Sequence, residues 1–333
     1  MTFILPNMAF GKDGNVVFLT ARKGRTTLNG LRASDKSDVI GVIDYPRLAL
    51  CAFFRASVVV ICDLERMTPD YEKRLTQIFA RWKEQPLSPL ILNRPPRVLR
   101  RFELLRKLYK AGVNKTDVHR LDDPDSIEKT ALPCFIRDEA GHHLNPAPPR
   151  LLHTRDELIE EKLRLHENGV SAFGKLVVEV EDTRDDKGYY CKSAYFRVAD
   201  SYIPAHRFWN SHWFVKNTEQ SLLTRNPELI EKERSFIQSD PHGAEIARIF
   251  DLAGIEYGRI DYGVRADGGI HVFEINTNPN HPYLDRVGEE RKDILKATQQ
   301  KVVTALKQLA EANTCARLQW PRDELMHRLK SQV

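Results

Sequence analysis

The chain has 333 residues, 41% of them hydrophobic and 29% charged, which suits a soluble folded protein of two or three packed units. No run approaches the roughly 20 apolar residues of a membrane span, and the opening MTFILPNMAF lacks a basic leader with a long apolar stretch, so a cytoplasmic protein is expected. The net charge of +5 admits an anionic ligand without requiring nucleic acid. The five scattered cysteines (Cys51, Cys62, Cys134, Cys191, Cys315) show no C-x-x-C spacing, which argues for reduced thiols rather than a zinc site or a disulfide framework.

The first hundred residues alternate short apolar runs, such as DVIGVIDYP and ASVVVICDLE, with helical ones, the pattern of an α/β layer. Thr68 and Pro69 open an amphipathic helix carrying Tyr71, Leu75, Ile78, Phe79 and Trp82, which should end before Pro86. A second helix is read in RVLRRFELLRKLYKAG, with Val98, Phe102, Leu105 and Tyr109 as its stripe and Gly112 as its stop. Its other face is basic (Arg94, Arg97, Arg100, Arg101, Arg106, Lys107, Lys110), either a solvated surface, a rim for an acidic small molecule or peptide, or an RNA contact.

Next come a short strand in LPCFIRDE, a Gly/His/Pro loop AGHHLNPAPPR, and a helix opened by the capping box of Thr154 and Glu157. GKLVVEVED, GYYCKSAYFRVAD and SYIPAHRFWNSHWFVKN read as three strands of one antiparallel sheet. Phe208, Trp209 and Trp213 among them are packing residues or pocket walls. Helices follow near 227 to 238 and 242 to 252, then two strands, EYGRIDYGV and GIHVFEIN, and helix from about 287 onward.

The last two strands flank RADGG, a hairpin signal because Asp-Gly tolerates positive φ. With Asp267 and Gly268 central, Asp261 faces Glu274 and Arg259 faces Asn276, all four on one face, while Ile260, Tyr262, Phe273 and Ile275 cover the other. Two facing carboxylates lie about 5 Å apart and repel by up to about 1 kcal/mol in water. A cation between them reverses the sign. Magnesium suits two carboxylates, the Asn276 amide oxygen and nucleotide phosphates, with Arg259 alongside for an oxyanion. A solvated polar face in which Arg259 neutralises its neighbours is the other reading.

GRIDYGVRADGGIHVFEINTNP resembles the ATP-grasp superfamily, whose signature is R-x-D, then E-x-N and a downstream proline. The resemblance implies an α/β (α+β) ATP-grasp fold with an N-terminal Rossmann-like domain over residues 1–115, an ATP-grasp domain over 116–313, and a helical tail over 314–333. It implies ATP with two Mg2+ ions, metal roles for Asp261, Glu274 and Asn276, and an intermediate-stabilising role for Arg259. KLVVEVED resembles the family's hinge strand, which makes Glu179 the adenine reader and Glu181 or Asp186 the ribose contact. Lys192 and Lys216 fall on strands that cover phosphates in the family, or else are surface lysines. Arg101 and Arg137 stand where the family has phosphate-clamping lysines, and arginine can make the same contact in bidentate form. His142 and His143, in the loop where the family has its small lid, are solvated or touch ligand.

Family members of this architecture join a carboxylate to an amine through an acyl phosphate. That is the activity expected here, on a peptide or small-molecule carboxylate and an amine acceptor, with no membrane and no nucleic-acid partner. A kinase acting on a hydroxyl and a nucleotide-binding regulator without turnover are the alternatives.

Overall fold

The computed structural model describes residues 15–36, 38–48, 53–140 and 148–319; Cys51, His142, His143 and the chain beyond 319 lie outside them. The chain opens with β1 (Val16–Thr20), α1 (Asn29–Ser34), β2 (Ile40–Asp44), α2 (Tyr45–Leu48), β3 (Phe53–Ala56), β4 (Val58–Ile61), α3 (Pro69–Lys83) and β5 (Leu90–Leu92). Four of these strands form a parallel sheet in the order β2-β1-β4-β5. β1 and β4 are buried along their whole length, as central parallel strands covered on both faces must be. α3 begins as its sequence dictates: the Thr68 hydroxyl accepts from the Tyr71 N–H, Pro69 sits in the first turn, and Leu75, Ile78, Phe79 and Trp82 are buried.

The second helix differs from the expected one. Pro95 and Pro96 hold residues 95–97 in a 3-10 turn, Val98 is extended, and α4 runs only over Arg101–Lys110. Its buried face is therefore counted from Arg101, giving Leu104, Leu105 and Leu108, while Tyr109 is exposed.

A second, antiparallel sheet has the order β6-β8-β7, from β6 (Val118–Arg120), β7 (Cys134–Asp138) and β8 (Lys175–Glu179), with α5 (Ser126–Lys129) and α6 (Arg155–Glu167) in the connections. Both halves of the predicted capping box at Thr154 and Glu157 are present. KLVVE thus pairs here and not with the two strands that follow it, as the sequence reading had it. Those two are β9 (Tyr190–Val198) and β10 (Ser201–Asn210), which stops before the expected 217. After α7 (Gln220–Arg225), α8 (Glu228–Ser239) and α9 (Gly243–Ala253) come β11 (Tyr257–Val264) and β12 (Ile270–Asn276), completing a sheet ordered β10-β9-β11-β12. α10 (Glu289–Ala312) follows, and β13 (Ala316–Gln319) pairs with β3, so a strand opens the segment expected to be a helical tail. No helix among the described residues is long and apolar enough to cross a membrane. Cys62 and Cys134 are buried free thiols, and Cys191 and Cys315 are half-buried free thiols.

The hairpin has the expected register where it matters, although not for the expected reason. Near the turn the pairs are Val264 with Ile270 and Tyr262 with Val272; one step on, Asp261 meets Glu274 and Arg259 meets Asn276. Phe273 is the extra residue of a β-bulge. The buried Asn114 holds the strand just before it, exchanging two hydrogen bonds of 2.8 and 3.0 Å with the Val272 backbone. The bulge also moves Phe273 out of the core that Ile260, Tyr262 and Ile275 share.

The segment leaving β12 is tied to the segments that follow β1 and β4 of the parallel sheet. Asn278 bonds to the Asp63 carboxylate and the Gly24 carbonyl, and the His281 and Gly30 backbones bond to Thr27 and His281 respectively. Gly30 has no room for a side chain, because a Cβ would stand 2.1 Å from the His281 carbonyl oxygen. Gly30→Ala should therefore lower unfolding free energy by about 1–3 kcal/mol in urea denaturation. Wild-type stability in that variant contradicts the packing described.

Candidate functional site

A pocket opens between the two antiparallel sheets. Phe135, Arg137, Val178, Glu179 and Val180 wall it on the β6-β8-β7 side, and Lys192, Asp261 and residues 271–274 on the other. Residues 213–216 of the β10–α7 loop also line it, with the Trp213 ring 5.0 Å from that of Phe135. The enclosed space is about 180 Å³. That is below the roughly 300 Å³ at which small-molecule clefts usually begin.

At one end the two facing carboxylates are each held by two cations. Asp261 is 3% exposed and receives Arg259 Nε at 2.7 Å and Lys192 Nζ at 3.3 Å. Glu274 receives Arg101 at 2.8 Å and Arg137 at 3.1 Å on the same oxygen. Arg101 is anchored further by the carbonyls of Asp138 and Glu139, which fixes α4 against the end of β7. Burial pushes the Arg137 guanidinium down to about 10 and the neighbouring Arg101 adds to that, while Glu274 opposes both. For Arg259 burial works in the same direction, but Asp261 outweighs it and leaves the group above its usual value. The Asn276 amide oxygen accepts from the Asn278 N–H at 2.9 Å, which leaves it a second lone pair.

The other expected residues fall into two groups. Glu179 lines the pocket, but its oxygens accept from the Asp117 and Ala131 amides, each at 2.7 Å, with His119 at 3.4 Å. Burial alone would raise its carboxyl; His119 and the two amides more than offset this and hold it low. Its carboxylate thus ties the strand ends of the small sheet together. Glu181 lines the pocket and is raised, chiefly by burial, whereas Asp186 is exposed outside it. Lys216 lines the pocket from a loop rather than a strand, with its ammonium 5.3 Å from the Phe214 ring centre. Trp209 is core, packed with Leu222 and Leu229.

Sequence reasoning missed two histidines. His271, opposite Gly263, lines the pocket beside Phe273, and its Nδ1 is buried without a partner. His206 stacks on Phe208 at 4.0 Å, with a buried, unpartnered Nε2. Burial first, then Arg259, Lys192 and Arg291, keep it neutral. Strand alternation was the available signal, since His206 and Lys192 share the face of Asp261.

Among the described residues no cluster of three or more His, Cys, Asp or Glu side chains could hold a metal unaided. The donors present, two carboxylates and an amide oxygen, are hard and few. They fit magnesium, which takes one or two carboxylates and completes its shell with phosphate and water.

No family model and no curated protein matches the sequence. Solved structures do match. The ATP-grasp ligase PsnB complexed with precursor peptide PsnA2 and AMPPNP superposes with a TM-score of 0.50 at 15% identity, covering 90% of this chain and 98% of that one. PsnB complexed with minimal precursor gives a TM-score of 0.50 at 14% identity, over 90% and 99%. A RimK domain ATP-grasp protein from Sphaerobacter thermophilus gives 0.49 at 14%, over 89% and 98%. The likeness to PsnB shows that the chain shares the fold of an ATP-grasp ligase.

The buried histidines set an acid limit on stability. His271 titrates at about 4 and His281 at about 3, both because of burial first and a nearby arginine second, against 6.5 when exposed. Between pH 6.5 and 4 the unfolded chain therefore binds more protons, so stability falls as pH falls through that window. His271→Gln should make the pH dependence of the urea-unfolding free energy shallower there. An unchanged slope would show that His271 is not held neutral.

Proposed function

We propose that the chain is an ATP-dependent ligase that joins a carboxylate to an amine through an acyl phosphate, using magnesium. The observation that carries this reading is the alignment of Arg259, Asp261, Glu274 and Asn276 on one face, beside a pocket whose lining includes Phe135, Val178, Val180 and Phe273. The apolar walls suit a base, and the charged end suits a triphosphate.

Asp261, Glu274 and Asn276 would hold the magnesium, with two ions expected. When bound it neutralises phosphate charge and draws electron density from the phosphorus under attack. Arg101 and Arg137, already at Glu274, exchange part of that contact for phosphate oxygens; Lys192 does the same from Asp261. Lys216 closes over the phosphates from its loop. The base is read by backbone groups of Val180 and Glu181, with Glu179 bracing the strand that presents them and Glu181 facing the ribose.

In the first step a donor carboxylate oxygen bonds to the γ-phosphorus and ADP leaves. In the second the amine nitrogen bonds to the acyl carbon, phosphate leaves, and the surplus amine protons pass to phosphate and water. Arg259 is placed to hold the oxygen that gains negative charge during that attack. A peptide donor or acceptor fits this reading, as PsnB is an ATP-grasp ligase solved with a precursor peptide. The cytoplasm supplies ATP and magnesium together, and we place the protein there.

An ADP-release screen against amino acids, dipeptides and amines, with product masses, should show condensation with loss of water; phosphorylated product and no amide would mean a kinase. Glu274→Gln should reduce ADP release by roughly a hundredfold or more while the protein stays folded. Undiminished turnover in that variant contradicts the metal assignment.

A further inference from the structure

A second cleft, of about 350 Å³, lies beside the parallel sheet and shares no lining residue with the nucleotide pocket. β5, the last strand of that sheet among the described residues, forms one wall, and α3 forms another. Phe79, Ile91 and Pro95 make its floor apolar. Lys83, Arg94 and Arg97 line it, and no aspartate or glutamate does.

The basic run from 94 onward divides at this cleft. Arg100 pairs with Glu72, Arg101 with Glu274 and Arg106 with Asp117, and Lys107 donates to the Leu252 carbonyl. Arg94 and Arg97 pair with no carboxylate among the described residues, and Arg94 Nε is buried without a hydrogen-bond partner. Gathering three like charges beside an apolar floor is unfavourable until an anion arrives. Guanidinium forks match carboxylates in shape. An edge strand offers unpaired backbone groups to an extended chain, whose side chains alternate between rim and floor. Phe79 is the only aromatic lining residue, too few for the run of stacked bases that a single nucleic-acid strand uses.

We propose that this cleft binds an extended acidic peptide segment, with carboxylates on Arg94 and Arg97 and intervening apolar side chains on the Phe79 and Ile91 floor. The site is independent of the nucleotide reading, because none of its residues takes part in that chemistry.

The test is fluorescence anisotropy with a labelled peptide of alternating glutamate and valine, and with its glutamine-for-glutamate counterpart. The acidic peptide should bind wild-type protein, and the Arg94→Gln/Arg97→Gln variant should bind it about tenfold or more weakly. The neutral peptide should not bind, and an oligouridylate should not displace the acidic one. Lys83→Gln, on a separate element, should also weaken binding, which keeps the test usable if the double variant folds poorly. Unchanged affinity in the variants, no binding by wild type, or displacement by the oligouridylate at similar concentration overturns the proposal.

Discussion

Two carboxylates, Asp261 and Glu274, are fixed opposite each other across one antiparallel strand pair, and the surrounding structure answers their repulsion. Arg259 and Lys192 hold one; Arg101 and Arg137 hold the other. The register that forces the confrontation is itself built, because without the Phe273 bulge the pairing seen at Tyr262 and Val272 would continue and set Asp261 against Phe273. Asn114, at the end of the segment leaving α4, holds the strand at that bulge. The carboxylate pair is thus imposed by the fold and stabilised by cations drawn from three other elements, α4, β7 and β9.

The charges at this end do not balance. Four cations meet two carboxylates, and Lys216 lies across the same pocket. That local excess suits an anion at this end, while Asp117, Glu179 and Glu181 line the rest of the pocket. It also makes the present ion pairs exchangeable: a guanidinium that holds a carboxylate in bidentate or shared fashion can hold a phosphate in the same way. Binding would then transfer cations from carboxylate to phosphate and free the carboxylates for metal. The Trp213 to Lys216 loop, with the Trp213 ring 5.0 Å from that of Phe135, spans the pocket lining between the two sheets.

Local chemistry was legible in the sequence wherever a short pattern carries its own cause. Thr68 with Pro69 and Thr154 with Glu157 each specify a local geometry, and each is found; the acids flanking Asp-Gly face each other as expected, but through a bulge that the turn does not specify. What was lost depends on residues far apart in the chain. The partners of Glu274 lie 173 and 137 positions away, and the Gly30 contact with His281 joins segments still farther apart in the chain. Glu179 is expected at the adenine because KLVVEVED resembles a hinge strand; that its oxygens meet backbone amides from two other segments is something no spacing reveals. The helix near 101 was misread for a simpler reason. Its apolar stripe was counted from Val98, which the paired prolines keep out of the helix.

The most direct measurement is a crystal structure grown with magnesium and a nonhydrolysable ATP analogue. The side chains of Asp261, Glu274 and Asn276 should coordinate metal that also touches the phosphates, with Arg137 turned from Glu274 to a phosphate oxygen. A nucleotide bound elsewhere, or bound here with both carboxylates still closed on their arginines and lysine and no metal between them, would contradict the reading of this site.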